Sequence, residues 1–209
     1  MATRKRDHLV AVAQKMFCQS GFHAVGIDAI LEDAGVARMT LYKNFCSKEE
    51  LILAALKRED VMFRQWLVSS VEGRSEQPED RILAIFGALR ERFDSTGYYG
   101  CAFIRASVEY PAPDHPVHRA ARAHREMMRS YLRGLCSEVE GADPVALSEQ
   151  LYLLIEGAIT ASQLHGEPWP ADYARQAAEN LLAACYARRS GASKRNKVTK
   201  GKKAKSRAA

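Results

Sequence analysis

The side chains best suited to a specific chemistry lie between Arg38 and Lys48. Arginine, lysine and asparagine at this density can donate to phosphate oxygens and to the edges of bases, and threonine and tyrosine hydroxyls add polar contacts. Helical spacing turns Val36, Leu41 and Phe45 inward, which leaves the polar residues outside. The outward set is Arg38, Thr40, Tyr42, Lys43 and Asn44. A short helix of this composition fills a core poorly, so the pattern predicts contact with a nucleic acid.

Two short helices are needed to position this set. Apolar residues recur at helical spacing from Ile27 to Ala34, and Gly35 follows where a left-handed residue closes a helix. A second helix fits residues 38–44. Two such helices joined by a glycine-containing turn form a helix-turn-helix, whose second helix lies in the major groove of DNA. An ordinary helical hairpin is the alternative, and it is disfavoured because the turn glycine, the polar set and the helix start that follows agree with each other.

That helix start has its own signature. Ser47 and Glu50 stand at the S-x-x-E spacing of a capping box, in which side chains accept hydrogen bonds from otherwise unpaired amides. The pattern opens a long helix that continues through Leu67. Lys48 lies at its N-terminus, where backbone amides already favour an anion, so a phosphate contact there is expected from position alone.

From Gly21 to Leu51 the chain resembles the tetracycline-repressor (TetR) family of transcription regulators. The positions that match in order and spacing are Gly21-Phe22, Ile30, Gly35-Val36, Thr40-Leu41-Tyr42, Phe45, Ser47-Lys48 and Leu51. The resemblance implies phosphate contacts from Tyr42 and Lys48. It also implies base or further backbone contacts from Arg38, Thr40, Lys43 and Asn44.

Three positions depart from the commoner family pattern. Met39 stands where a small residue is usual, Leu31 where alanine is usual, and Cys46 where proline or glycine is often found. Met39 is kept among the DNA-contacting candidates because its side chain can touch a thymine methyl, and packing against the turn is the alternative. These departures bear on sequence preference more than on DNA binding itself.

The rest of the chain also predicts helices, and no two-residue alternation lasts long enough for a sheet. The predicted helices outside the helix-turn-helix span residues 5–20, 47–67, 79–94, 101–109, 117–138, 144–165 and 170–188. We therefore expect an all-α fold of about nine helices, with a three-helix DNA-binding domain joined by a long fourth helix to a helical body. The expected segments are a helix-turn-helix domain (1–50), a ligand-binding and dimerisation domain (51–189) and a basic disordered tail (190–209).

Charge is unevenly distributed within the net +6. Residues 1–48 carry 7 basic and 4 acidic side chains, residues 49–187 carry 14 and 21, and residues 188–209 carry 10 basic side chains and no acidic one. Only the two ends therefore suit a polyanion. The tail is expected either to tether the protein to phosphates or merely to aid solubility. An architectural DNA binder that uses the basic ends without sequence preference stays an alternative to the regulator.

The resemblance also implies a helical body that binds a small molecule and dimerises through its last two long helices. Ordinary intrachain packing of those helices is the alternative. The homodimer is favoured because a symmetric operator needs two recognition helices about 34–36 Å apart. An effector in the body would shift the long helix at its start and lower operator affinity. Repression released by ligand is the family default, and activation stays open.

A pocket is expected between the long fourth helix and the helices after it. Candidate lining residues, chosen for bulk or isolated polarity, are Met62, Phe63, Trp66, Phe86, Phe103, Tyr110, Tyr152 and Glu156. Plain core packing is the alternative for each of them. The sequence does not reveal the effector.

Other chemistries find little support. Glu109, Asp114, His115 and His118 lie close together, but their spacing matches no strong metal motif, so capping by Asp114 and surface histidines are favoured over a metal site. No HExxH, GxSxG, phosphate loop or CxxC motif occurs, so neither an enzyme nor a cofactor is expected.

Five widely spaced cysteines indicate reduced, mostly packed thiols rather than disulfides. Redox sensing by Cys46 or Cys101 stays open.

No apolar run approaches the roughly 20 residues that span a bilayer. The basic start of the chain lacks the continuous apolar core and the small-residue cleavage site of a secretory signal. We expect a soluble, cytoplasmic protein whose partners are double-stranded DNA, a small molecule and a second copy of itself, with no membrane.

Overall fold

A computed structural model describes residues 2–73 and 75–205, with side chains placed within residues 4–73 and 75–187. In that part of the chain the backbone forms nine α-helices and no strand, which confirms the predicted all-α class. The helices are α1 (Ala2–Ser20), α2 (Ile27–Ala34), α3 (Arg38–Tyr42), α4 (Lys48–Val71), α5 (Pro78–Phe93), α6 (Ala102–Glu109), α7 (Pro116–Ser137), α8 (Pro144–His165) and α9 (Trp169–Lys205).

Local signals set the ends of the helices that frame the predicted DNA-binding segment, residues 21–48. Gly35 closes α2 in the left-handed region at φ 60°, and its amide donates to carbonyls of the last turn. Ser47 caps α4 by accepting from the amide of Glu50 at 3.2 Å. The Glu50 carboxylate accepts from the amide of Cys46 at 2.6 Å, one residue before the cap.

Two helix ends differ from the sequence prediction. α3 ends at Tyr42 rather than near Asn44, because the amides of Asn44 and Phe45 both turn back to the carbonyl of Leu41. α9 continues to Lys205 instead of ending near residue 188, and the high helix propensity of lysine, arginine and alanine accounts for this. The side chains from residue 188 onward, and all of residues 206–209, lie outside the described residues, so the role of the basic tail stays a prediction.

Two hydrophobic cores organise the molecule, and α4 belongs to both. The first core joins α1–α3 to the start of α4, through Leu51 and Leu56, and to α6 and α7, through Phe103 and Val117. The second core joins the end of α4, at Leu67, to α5 and α7–α9. Packing therefore continues across residue 50, where the sequence places a domain boundary.

A search of the described helices for one long and apolar enough to cross a bilayer finds none.

Candidate nucleic-acid interface

Helix α3 lies at the surface with its polar residues outward. Leu41 is fully buried beneath it, whereas Met39 is 67% exposed and Tyr42 is 51% exposed. Arg38 and Lys43 are exposed as well. The geometry offers these four side chains together to a partner surface, as the helical spacing predicts.

Thr40 and Asn44 are less available than the sequence suggests. Both are partly buried, and the side-chain amide of Asn44 donates to the carbonyl of Thr40 at 2.7 Å. This bond closes the short helix and fixes the orientation of the Asn44 side chain. A contact from Asn44 to DNA would come from its amide oxygen or its second N–H group.

Arg38 is held by a carboxylate that the sequence analysis did not single out. Its guanidinium forms an exposed ion pair with Asp28, which lies in the first turn of α2. A guanidinium offers five N–H donors in a fixed plane, so donors remain for a base or phosphate. The spacing of Asp28 and Arg38 in the sequence does not predict this ion pair, because the pair depends on the angle between α2 and α3.

Lys48 is partly buried at the start of α4, and its ammonium donates to the carbonyl of His23 at 3.2 Å. Burial lowers the Lys48 pKa, although the nearby charge of Glu109 acts in the opposite direction. Two of its three N–H donors remain for another acceptor. The expected phosphate contact by Lys48 stays a prediction that this position permits.

Arg6 of α1 is a basic side chain near α3 that was not among the predicted contact residues. Its guanidinium lies 5.1 Å from the ring centroid of Phe45, just after α3. This contact places the positive charge of Arg6 beside α3. The cluster of arginine and lysine at residues 4–6 was a signal, but its position relative to α3 follows only from the fold.

The connection between α1 and α2 is held by α6. The Glu109 carboxylate accepts from the amides of Phe22 at 3.1 Å and His23 at 2.7 Å. Four residues earlier, Arg105 donates to the carbonyl of Cys18 at 3.0 Å, near the end of α1. One face of α6 is therefore hydrogen-bonded to residues 18–23, the segment that precedes α2.

Aromatic rings extend this junction toward α7 and α4. The ring of Tyr110 lies 4.7 Å from the rings of both His23 and His115, measured between centroids. His115 Nε2 lies 3.4 Å from the carboxylate of Glu49 in the first turn of α4. Tyr110 was predicted to line a pocket in the body, but the fold places it at this junction because Pro111 ends α6 there.

The same loop revises the predicted cap of α7. His115, not Asp114, occupies the N-cap position, and its side chain accepts from the amide of Val117. Within the described residues, no three His, Cys, Asp or Glu side chains meet in a group that could hold a metal ion.

Two adjacent cavities lie where α1, α4, α5 and α6 meet. The outer one, the α1 cleft, measures about 390 Å³ and lies between α1, α4 and the loop of residues 94–100. The inner one measures about 20 Å³ and lies among aromatic side chains. Glu59, Arg92 and Tyr98 line both cavities.

The predicted pocket residues are distributed over several places. Met62 lines the α1 cleft, and Phe63 and Phe103 line the inner cavity. Trp66 packs 5.2 Å from Phe63 between ring centroids, and Phe86 is fully buried in the second core. Neither of these two touches the cavities, since both fill space between helices.

Tyr152 and Glu156 belong to a polar group between α7 and α8 and line neither of the two cavities. Glu156 pairs with Arg125 of α7. Burial raises the Glu156 pKa, with Arg125 acting in the opposite direction. The isolated polarity seen in the sequence therefore corresponds to an internal ion pair.

His124 is a buried titratable side chain that packs against Phe103, one of the residues lining the inner cavity. Its ring stacks on Phe103 with centroids 3.7 Å apart, and its Nδ1 lies 2.6 Å from the Asp60 carboxylate. Burial lowers the His124 pKa, and the hydrogen bond to Asp60 only partly offsets this. For Asp60, burial acts to raise the pKa, but the bonds from His124 and Arg64 outweigh it. We conclude that a neutral imidazole donates to an ionised carboxylate.

The cysteines differ in exposure. Cys46 is exposed, whereas Cys101 is partly buried. Burial raises the Cys101 pKa and raises that of Cys18 to about 12, so both thiols stay protonated at neutral pH. A protonated thiol is a poor nucleophile, which weighs against redox sensing by Cys101 in this conformation.

Known sequence families cover most of the chain. The family described as "Bacterial regulatory proteins, tetR family" matches residues 9–55. The family described as "Tetracyclin repressor-like, C-terminal domain" matches residues 78–178. The first match contains α3 with its exposed side chains, and the second contains most of the body.

Individual relatives match over nearly their whole length. The crystal structure of SCO4454, a TetR-family transcriptional regulator from Streptomyces coelicolor, is 34% identical, covers 88% of this chain and 96% of its own, and superposes with a TM-score of 0.82. The HTH-type transcriptional regulator YjdC of Escherichia coli is 24% identical over 188 residues, 90% of this chain and 98% of its own. The HTH-type transcriptional repressor NemR of Escherichia coli is 25% identical over 193 residues, 85% of this chain and 94% of its own.

Proposed function

Because this chain belongs to the TetR family of transcriptional regulators, we propose that it binds a palindromic operator as a homodimer and releases it when a small molecule binds. The observation that carries the proposal is the surface of α3. Arg38, Met39 and Tyr42 are exposed, whereas Leu41 of the same helix is buried in the core. The buried leucine anchors the short helix, and its polar and apolar side chains point outward. Such a helix suits the major groove.

Exposed apolar residues on the last two helices support the homodimer. On α8, Leu153 is 67% exposed and Leu164 is 79% exposed. On α9, Tyr173 is 67% exposed, and Trp169 lies one turn before it. Large exposed apolar side chains on two neighbouring helices are typical of an interaction surface. A two-fold pair joined along α8 and α9 would cover it and present two copies of α3.

Direct contacts from the body to the DNA-binding segment support a coupled response. Glu109 holds the amides of Phe22 and His23, and Arg105 holds the carbonyl of Cys18. A displacement of α6 would therefore move the segment before α2. A molecule that binds one arrangement of α6 better than another would change operator affinity provided the operator also favours one arrangement, and the operator would then change the affinity for that molecule by the same factor.

Release of a repressor is the favoured direction of control. One whole-length relative is described as a repressor, which supports the same role here. The proposal includes a cytoplasmic location, because an operator-binding protein must reach DNA. No enzymatic step forms part of it.

Selection of preferred sequences from random duplex DNA tests the proposal. Purified protein should enrich a dyad-symmetric site whose half-sites lie one helical turn apart, about 34–36 Å. Enrichment of no sequence would contradict it and favour the alternative of an architectural binder that uses its basic ends. The enriched duplex then serves as the probe for every binding measurement below.

A further inference from the structure

The α1 cleft joins the DNA-binding segment to the body. Its walls include Gln14 and Lys15 of α1, Glu59 and Met62 of α4, and the loop residues Tyr98 and Tyr99. A volume of about 390 Å³ falls within the range of small-molecule sites. A molecule bound here would touch α1 itself and not only the body.

Arg92 of α5 is the cation at the back of this cleft. Its guanidinium carbon lies 4.9 Å from the ring centroid of Trp66 and 5.8 Å from that of Phe63, so aromatic rings hold it in place. Its ion pair with Glu59 is long, at 3.4 Å. A guanidinium has five N–H donors and binds carboxylates through two parallel bonds, so donors remain for an incoming anion.

The charge balance of the walls favours an anion. Glu59 offsets Arg92, and Lys15 adds an exposed positive charge at the rim. Burial keeps the Cys18 thiol protonated, with a pKa of about 12, so it adds no negative charge. The cleft therefore carries one net positive charge.

Aromatic surface lies beside this charge. Tyr98 separates the cleft from the inner cavity, and its hydroxyl is buried with no hydrogen-bond partner among the residues that the structure describes. Behind it, Phe93 and Phe103 line a space of about 20 Å³, room for about one water molecule. Gly97 and Gly100, both at positive φ, flank the two tyrosines in this loop. A ligand with a flat ring can stack that ring on Tyr98, and a polar group of the same ligand can form a hydrogen bond with the buried hydroxyl.

We propose that the α1 cleft binds an aromatic carboxylate, with the carboxylate on Arg92 and the ring against Tyr98 and Tyr99. This names the effector class and rests on the proposed regulator function. The neutral amide of the same acid offers the same ring but no charge to pair with Arg92. It therefore binds more weakly.

Binding at this place has a direct route to the recognition helix. Gln14 of α1 donates to the Glu59 carboxylate and accepts from Arg58 Nε at 2.9 Å, and these bonds tie α1 to α4. An incoming carboxylate competes with Glu59 for Arg92 and repels the Glu59 carboxylate. The ring also presses on Tyr99, whose hydroxyl accepts from Gln19 of α1 at 3.2 Å. Both effects loosen α1 and lower operator affinity.

Matched acids and amides test the proposal. We would measure binding of benzoate, 1-naphthoate and 4-phenylbutyrate, and of their primary amides, to the full chain by calorimetry without DNA. At least one acid should bind saturably and about tenfold more tightly than its amide, a difference of about 1.4 kcal/mol. Arg92→Gln should remove that preference. Arg90→Gln, two residues away on α5 at an exposed ion pair with Asp172, should retain it.

A second variant guards against misfolding of the first. Arg92→Lys keeps the cation over Trp66 and loses the paired donors, so it should fold and bind the acid with intermediate affinity. The proposal is overturned if no acid binds in the millimolar range, if acids and amides bind equally, or if Arg92→Gln binds as Arg90→Gln does. Operator affinity should fall in the presence of the bound acid, and an unchanged affinity overturns the route through α1. Failure of the regulator function is a separate result, seen as the absence of any preferred duplex.

Discussion

The carboxylate of Glu109 occupies the space that a side chain on Gly21 would need. A Cβ on Gly21 would lie 2.7 Å from Glu109 Oε1, and the residue has φ +90°, which favours glycine. The close approach lets Glu109 reach the amides of Phe22 and His23. Glycine at this position therefore serves the contact between α6 and the DNA-binding segment as well as the turn.

Gly21→Ala should destabilise the protein by about 1–3 kcal/mol, since it combines a positive φ with a steric clash. Denaturant unfolding measures the free energy change. The matched control is Gly26→Ala, because Gly26 has φ −78° and no neighbouring atom within 4 Å of an added Cβ. Gly26 is the N-cap of α2, where glycine is preferred over alanine, so Gly26→Ala should cost at most about 1 kcal/mol and less than Gly21→Ala. Equal effects of the two substitutions would show that the hydrogen bonds from the amides of Phe22 and His23 to Glu109 do not require glycine at position 21.

Arg38 and Lys43 should contribute to DNA binding in different ways. Loss of a base-reading arginine relaxes specificity at one position, by about 1–3 kcal/mol, whereas loss of a phosphate contact weakens binding to all sequences. We expect Arg38→Ala to show the first behaviour and Lys43→Ala the second, with a smaller salt dependence. Binding to single-base variants of the selected duplex at several salt concentrations measures both. Lys57→Ala, an exposed lysine on α4, is the control and should bind as the unaltered protein does.

The exposed leucines of α8, Leu153 and Leu164, should help to hold the homodimer together. Replacing both Leu153 and Leu164 with glutamate puts charge on this surface, so the protein should elute as a monomer and lose affinity for the full dyad site. Val61→Glu, at a 47% exposed position on α4, adds a charge to a different apolar patch and should leave the dimer intact. A double variant that remains dimeric in light scattering would place the interface elsewhere.

His124 should make stability depend on pH. Its pKa in the folded protein lies below its ordinary value of 6.5, so the unfolded chain takes up a proton first as pH falls. The free energy of unfolding should therefore decline as pH falls from 6.5 through the folded pKa, by at most about 1.4 kcal/mol per pH unit. His124→Gln should be less stable at neutral pH and have a flatter profile in this window. His165→Gln, at an exposed histidine, should keep the slope. A slope unchanged in His124→Gln would assign the pH dependence to other groups.

The basic tail should steepen the salt dependence of DNA binding. Residues 188–209 carry 10 basic side chains, and each phosphate they neutralise adds about 0.9 to the slope of log K against log salt. Deleting the chain from Arg189 onward should lower that slope while preserving the preferred sequence. An unchanged slope would reduce the tail to a solubilising segment.

Local signals allowed much of the fold to be predicted from the sequence. The bounds of α2 agree because Gly35 closes the helix, and those of α8 agree because Asp143 caps it and Gly166 ends it. The exposed face of α3 follows from the spacing of Leu41 and Phe45. Each of these depends on residues within a few positions of each other.

Features that depend on distant parts of the chain could not be predicted. Glu109 and the amide of Phe22 are separated by 87 residues, and no pattern in the sequence links them. Tyr110 was assigned to a pocket because it is a large aromatic residue, yet its place depends on how α6 meets the DNA-binding segment. The pairing of Asp28 with Arg38 likewise depends on the angle between two helices.

The two ends of helix α4 are packed in different cores, so a tilt of the helix within one core displaces its end in the other. It has 24 residues and is therefore about 36 Å long. If its far end pivots by about 5°, the end at Lys48 moves by about 3 Å, comparable to the length of one hydrogen bond. Two recognition helices carried at a fixed spacing on such arms would lose register with DNA after a small tilt, so an effector need not unfold or separate anything to act.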